Sequence, residues 1–214
     1  MTVSEIDAHD PLTPLQRADR IIVARPFRLI GPQIFISIPT AGSSEPAHPV
    51  LYGKHKFSTI GVDIRFRLSP KGKAYLFKVR PTRRWFNFHG RYDILDAEGN
   101  RVGLVDKSVR RSQARSHYRL FDAAGNEVLE GEEASMSGAL SRRIWDFLRD
   151  FLPGPFELAP DVPDHFDLYL EGRRVAKYER LSLVYDWSLL TLEPELVGVD
   201  RRLLVAFVAA LDEL

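Results

Sequence analysis

The 214-residue sequence predicts a mainly β fold: a closed antiparallel barrel of about twelve strands around a central hydrophobic C-terminal helix. Three observations predict it. Apolar residues alternate with period two from about residue 50, strand-turn-strand units recur along the chain, and the last helix is apolar on every side.

The alternation is clearest in GVDIRFRL, where Val62, Ile64, Phe66 and Leu68 share one face and Asp63, Arg65 and Arg67 the other, the pattern of a half-buried antiparallel strand. The recurrence is clearest in YDILDAEGNRVGLVDK from Tyr92 and YRLFDAAGNEVLEGEE from Tyr118, which match at the same offsets 26 residues apart. FRLSPKGKAYLFKV from Phe66 and FDLYLEGRRVAKYERL from Phe166 keep the same order, and YDWSLLTLEP adds a further strand. Gly and Asn in the turns tolerate the positive φ that tight hairpins demand. A meander this long must curl or close to protect its edges, and a dozen strands enclose a lumen too wide for their own side chains to fill. The run Leu203–Leu211 (LLVAFVAAL) supplies the filling. From Asp200 to Asp212 the helix is roughly 20 Å long, too short for a bilayer and too apolar for water. Asp200 is its expected N-cap, and Ala206, Ala209 and Ala210 are small enough to let strands approach.

Two regions are expected. Residues 1–48 hold six prolines and read as a partly ordered arm whose one strand candidate, QIFISI, is able to join the main sheet; residues 49–214 form the barrel, with its helix at about 200–213.

Composition limits the function. A net charge of +1, thirty Lys and Arg against twenty-nine Asp and Glu, removes any general case for nucleic-acid or anionic-membrane binding and leaves only local clusters. With no cysteine, disulfides, thiolate metal sites and thiol nucleophiles are excluded. The first twenty residues carry early acidic groups and no apolar core, so a cytoplasmic location is expected, peripheral to a membrane at most and with no transmembrane segment. No metal or cofactor motif is present: the six histidines, His9, His48, His55, His89, His117 and His165, stand singly in the sequence, and no Walker, dinucleotide or nucleophile-elbow motif occurs.

The local clusters lie in the links between hairpins, which a meander brings to one end. KVRPTRRWFNFHGR and KSVRRSQARSHYR contain no acidic residue, so Arg80, Arg83, Arg84, Arg110, Arg111 and Arg115 are the candidate anion- or lipid-binding residues; the competing reading is a solvated rim paired with nearby carboxylates. The next link holds LSRRIWDFLRDFLPG, an amphipathic helix with Ile144, Trp145, Phe147, Leu148 and Phe151 as candidate interfacial residues, or else a cap on the barrel's open end. An anionic phospholipid surface is the expected partner and a protein-interaction scaffold the alternative; behind them stand stacking of single-stranded nucleic acid on Trp85, Phe86 and Phe88, and an enzyme built from dispersed carboxylates such as Asp93 and Glu130.

The tandem YxxxDAxGN hairpins and the apolar helix after YDWSLLTLEPELVGVDRR resemble the LURP-one-related proteins of the tubby-like and phospholipid scramblase superfamily over about residues 55–214. The resemblance implies a tubby-like barrel, a non-enzymatic lipid- or membrane-associated role, and no cofactor. The chain departs from scramblases in lacking their cysteine cluster and in reducing their acidic loop to Glu193, Glu195 and Asp200, which counts against calcium-driven lipid transport.

Overall fold

The computed structural model describes residues 10–25, 33–40, 43, 47–57, 62–82, 90–110, 115–133, 165–182, 187–196 and 198–212. A short helix α1 (Thr13–Gln16) leads into β1 (Arg20–Ala24), β2 (Gln33–Ser37), β3 (Pro49–Phe57), β4 (Val62–Arg67), β5 (Phe77–Pro81) and β6 (Arg91–Asp96). Then follow β7 (Arg101–Arg110), β8 (Arg115–Asp122), β9 (Glu127–Glu133), β10 (His165–Leu170), β11 (Arg173–Ser182), β12 (Trp187–Leu192) and the terminal helix α2 (Arg201–Asp212). Each strand is antiparallel to its chain neighbours, and β1 pairs with β12, closing a twelve-stranded barrel.

The closing strands come from the region read as an arm. QIFISI forms β2, which pairs with β3, and RIIVA forms β1, a strand the alternation does not reveal because Ile21, Ile22, Val23 and Ala24 are all buried. Leu12, Leu15 and Ala18 join the same hydrophobic core. Residues 10–25 and 33–37 are therefore part of the barrel wall and its packing, and removing residues 1–48 would open the sheet.

The repeated turns are built alike. Asn100 donates its backbone N–H and its side-chain amide to the Asp96 carboxylate at 2.7 and 3.0 Å, and Asn126 does the same to Asp122 at 2.8 and 2.9 Å. Gly99 and Gly125 have φ of 93° and 91°, the left-handed residue that ends a three-residue hairpin loop. Hydrogen bonding, first from the asparagine side chain, holds both carboxyls below the usual range. At the β10–β11 turn Glu171 and Gly172 both have positive φ, 51° and 80°, as a two-residue turn requires. The strand GVDIRFRL ends earlier than expected: Ile64 and Phe66 are buried, whereas Leu68 lies beyond β4 and is 50% exposed.

Helix α2 occupies the lumen. Leu203 to Ala210 are each at most 2% exposed, and the Phe207 ring meets Tyr118, Phe166 and Tyr178 edge-on at 5.1, 6.0 and 6.5 Å, from three different strands. Small residues on both sides permit this fit. Beside Ala206, Ala209 and Ala210 of the helix stand Gly103 of β7, where a Cβ would collide with the Phe121 carbonyl and Leu203, and Gly131 of β9, where one would press on Phe207.

The helix start is tied to α1. Asp200 accepts the Arg202 N–H at 2.9 Å, the expected N-cap, while Gln16 donates to Asp200 at 2.7 Å and accepts the Arg201 N–H at 3.0 Å. Burial pushes the Asp200 carboxyl up, but hydrogen bonds from Arg202 and Gln16 outweigh it and leave it below the ordinary value.

Candidate functional site

The meander sorts its connections by end. The β5–β6 link, the β7–β8 link and the long 134–164 connection emerge at one end, and the Asp-Ala-x-Gly-Asn turns at the other. Strand β12 delivers α2 into the lumen from the turn end; at the link end Arg25 donates to the Val208 carbonyl at 3.1 Å, near the helix C-terminus, where a cation is favoured.

Around the link end the arginines fall into three groups. Arg80 grips both oxygens of Asp63, Nε and Nη2 each at 3.3 Å, and Arg65 lies 3.9 Å away. Asp63 is on the outward face yet 1% exposed, because these guanidiniums cover it. For Arg80 the paired-rim reading holds. Arg91 and Arg119 likewise share Asp106, at 3.5 and 3.4 Å. Arg110 and Arg115 form the second group: they are the last register pair of the β7–β8 ladder, directly across from one another. Arg83, Arg84 and Arg111 lie outside the described residues, as do Ile144, Trp145, Phe147, Leu148 and Phe151 of the candidate interfacial helix and the aromatic trio Trp85, Phe86 and Phe88.

Asp93 and Glu130 are not brought together. Asp93 is on β6, 3.4 Å from Arg101, whereas Glu130 is on β9.

Sequence spacing missed a cluster on the outer wall of β8 to β10. His117 pairs in register with Glu132, and Glu132 with Asp167. His117 is 5% exposed; its Nε2 is hydrogen-bonded to Glu130 Oε1, and its Nδ1 lies 3.5 Å from the Ser108 hydroxyl. One ligand atom each from His117, Glu130 and Glu132 lies within 4.8 Å of the others. Glu132 has no hydrogen bond or ion pair among the described residues, and Asp167 Oδ1 is buried without a hydrogen bond, 3.8 Å from Arg174. The negative field is felt by Tyr169, whose hydroxyl is held above its ordinary value by burial first and then by Asp167 and Glu132. The available signal was Glu130-x-Glu132, since period two sets both carboxylates on one face of a strand. Histidine spacing along the chain could not show it, because the partners come from neighbouring strands.

Among the described residues no helix is long and apolar enough to cross a membrane. No family model matches the chain, and no curated protein matches it.

Proposed function

We propose that the protein is a non-enzymatic barrel that binds an anionic phospholipid surface through its link end, using Arg83, Arg84, Arg110, Arg111 and Arg115. The carrying observation is the Arg110–Arg115 register pair. That register puts two cationic residues at facing backbone positions beside one link, where an anionic surface would meet both. Topology supports the reading further. The strands that bound the β5–β6 and β7–β8 links are consecutive in the wall, so the two acid-free links leave the same end of the barrel. Arg80 is left out because Asp63 already neutralises it. Kinship with the LURP-one-related and tubby-like proteins is part of the same proposal, supported by the twelve-stranded barrel and its lumenal helix.

The test is vesicle sedimentation with neutral and with phosphatidylserine-containing liposomes at low and high salt. Binding should need the anionic lipid and fade with salt, because each arginine near the surface contributes about 1 kcal/mol. Arg110→Glu with Arg115→Glu should abolish it. Lys71→Glu with Lys73→Glu, in the β4–β5 turn at the opposite end, should leave it intact. Equal loss in both pairs, or equal binding to neutral vesicles, defeats the proposal.

A further inference from the structure

The outer wall of β8 and β9 carries a second site of different chemistry. Its residues are His117, Glu130 and Glu132, with Asp167 of β10 beyond Glu132. We propose that this cluster binds a divalent transition-metal ion of the zinc or manganese kind, ligated by His117 Nε2 and the carboxylates of Glu130 and Glu132.

Four features carry it. The donor set is one imidazole and two carboxylates: the imidazole favours zinc over calcium or magnesium, which take oxygen ligands, and the carboxylates also suit manganese. The imidazole is oriented for ligation: Ser108 beside Nδ1 leaves Nε2 turned toward the carboxylates, the arrangement in which a neighbour of the far ring nitrogen sets the tautomer. The backbone is rigid there, because His117 and Glu132 are directly paired ladder positions and Glu130 is two residues along the same strand. Ligand atoms within 4.8 Å need only small rotamer changes to reach the about 3 to 4 Å separation of donors on one ion.

The charge balance adds to these four. His117 bonds Glu130, but Glu132 has neither hydrogen bond nor ion pair among the described residues. Cations on the neighbouring strands are engaged with other carboxylates, Arg119 with Asp106 at 3.4 Å, Lys177 with Glu179 at 2.7 Å and Arg174 with Asp167 at 3.8 Å. Asp167 Oδ1, directly across the ladder from Glu132, is buried without a hydrogen bond. A dication between His117 and the two glutamates supplies the missing counter-charge. Its position has a structural consequence: β9 ends at Glu133 and β10 begins at His165, so the ion would clip the wall at the root of the 134–164 connection.

The experiment is calorimetric titration of EDTA-dialysed full-length protein with zinc, manganese, calcium and magnesium, repeated for Glu132→Gln, His117→Gln and the exposed-turn control Glu171→Gln. Wild type should take up one zinc or manganese ion per chain. Glu132→Gln and His117→Gln should weaken that event by at least about tenfold, and Glu171→Gln should not change it. A cobalt-loaded sample should show d–d absorption bands that Glu132→Gln removes. Should His117→Gln fail to fold, Glu132→Gln decides alone, since that side chain has no hydrogen bond or ion pair to lose among the described residues. No uptake of zinc or manganese, uptake unchanged in Glu132→Gln, or tighter binding of calcium than of zinc each overturns the site.

Discussion

The inside and the outer wall of this barrel handle burial in opposite ways. Inside, α2 presents Leu203 to Ala210 to strands around the barrel, and burial is satisfied by shape: aromatic edges around Phe207, and glycines where the helix comes close. The buried Tyr178 hydroxyl reaches a polar partner, Ser188, at 2.7 Å. Outside, Asp63 and His117 are as inaccessible as core residues, at 1% and 5% exposure, yet each is buried beneath charged or polar neighbours on adjoining strands. The difference teaches that low exposure in this chain has two causes. Apolar closure around Phe207 leaves a charge without a partner, and lateral pairing requires its opposite.

Three substitutions test that contrast, beginning with the largest effect. Phe207→Asp sets a carboxylate among Tyr118, Phe166 and Tyr178 with no countercharge, and should abolish soluble, cooperatively folding protein. A soluble variant with a sharp urea transition would show that the lumen admits water. Next, Arg80→Ala leaves the Asp63 carboxylate with only Arg65, 3.9 Å away, and should cost about 2 kcal/mol in urea unfolding, whereas adding Asp63→Ala should recover much of the loss. Equal losses in the single and double variants would mean that the pair is not what covers Asp63.

The smallest effect belongs to the junction of the two regions. Asp200 has a folded-state pKa below its ordinary value, so its contribution is present above the ordinary carboxylate range and is lost as pH falls through the folded value. Asp200→Ala should cost about 1 kcal/mol at neutral pH, and the variant and wild-type unfolding curves should converge in acid. A gap that stays constant down to strongly acid pH would remove the cap from the account.

Much of the fold was legible because its determinants are local. The repeated strand-turn-strand units mark β4 to β11, Asp96 with Asn100 and Asp122 with Asn126 write the turns, and an all-round apolar segment announces a helix with nowhere to go but a lumen. β1 was illegible because all but its first residue are buried, which erases the alternation, and with it went the role of β1 and β2 in closing the sheet. Of the sites, the acid-free links could be found by reading along the chain, since a meander sends alternate connections to one end. Whether an arginine is available could not, since Arg80 meets Asp63 only when β4 and β5 pair.

By itself, then, the sequence determined the strands it alternates, the turns it writes and the helix it makes too apolar for water, all through interactions between residues close in the chain. Only the tertiary structure decided which charges cancel and which converge. Lateral contacts such as Arg80 with Asp63, or His117 with Glu130, depend on ladder register, and register emerges when the whole barrel closes.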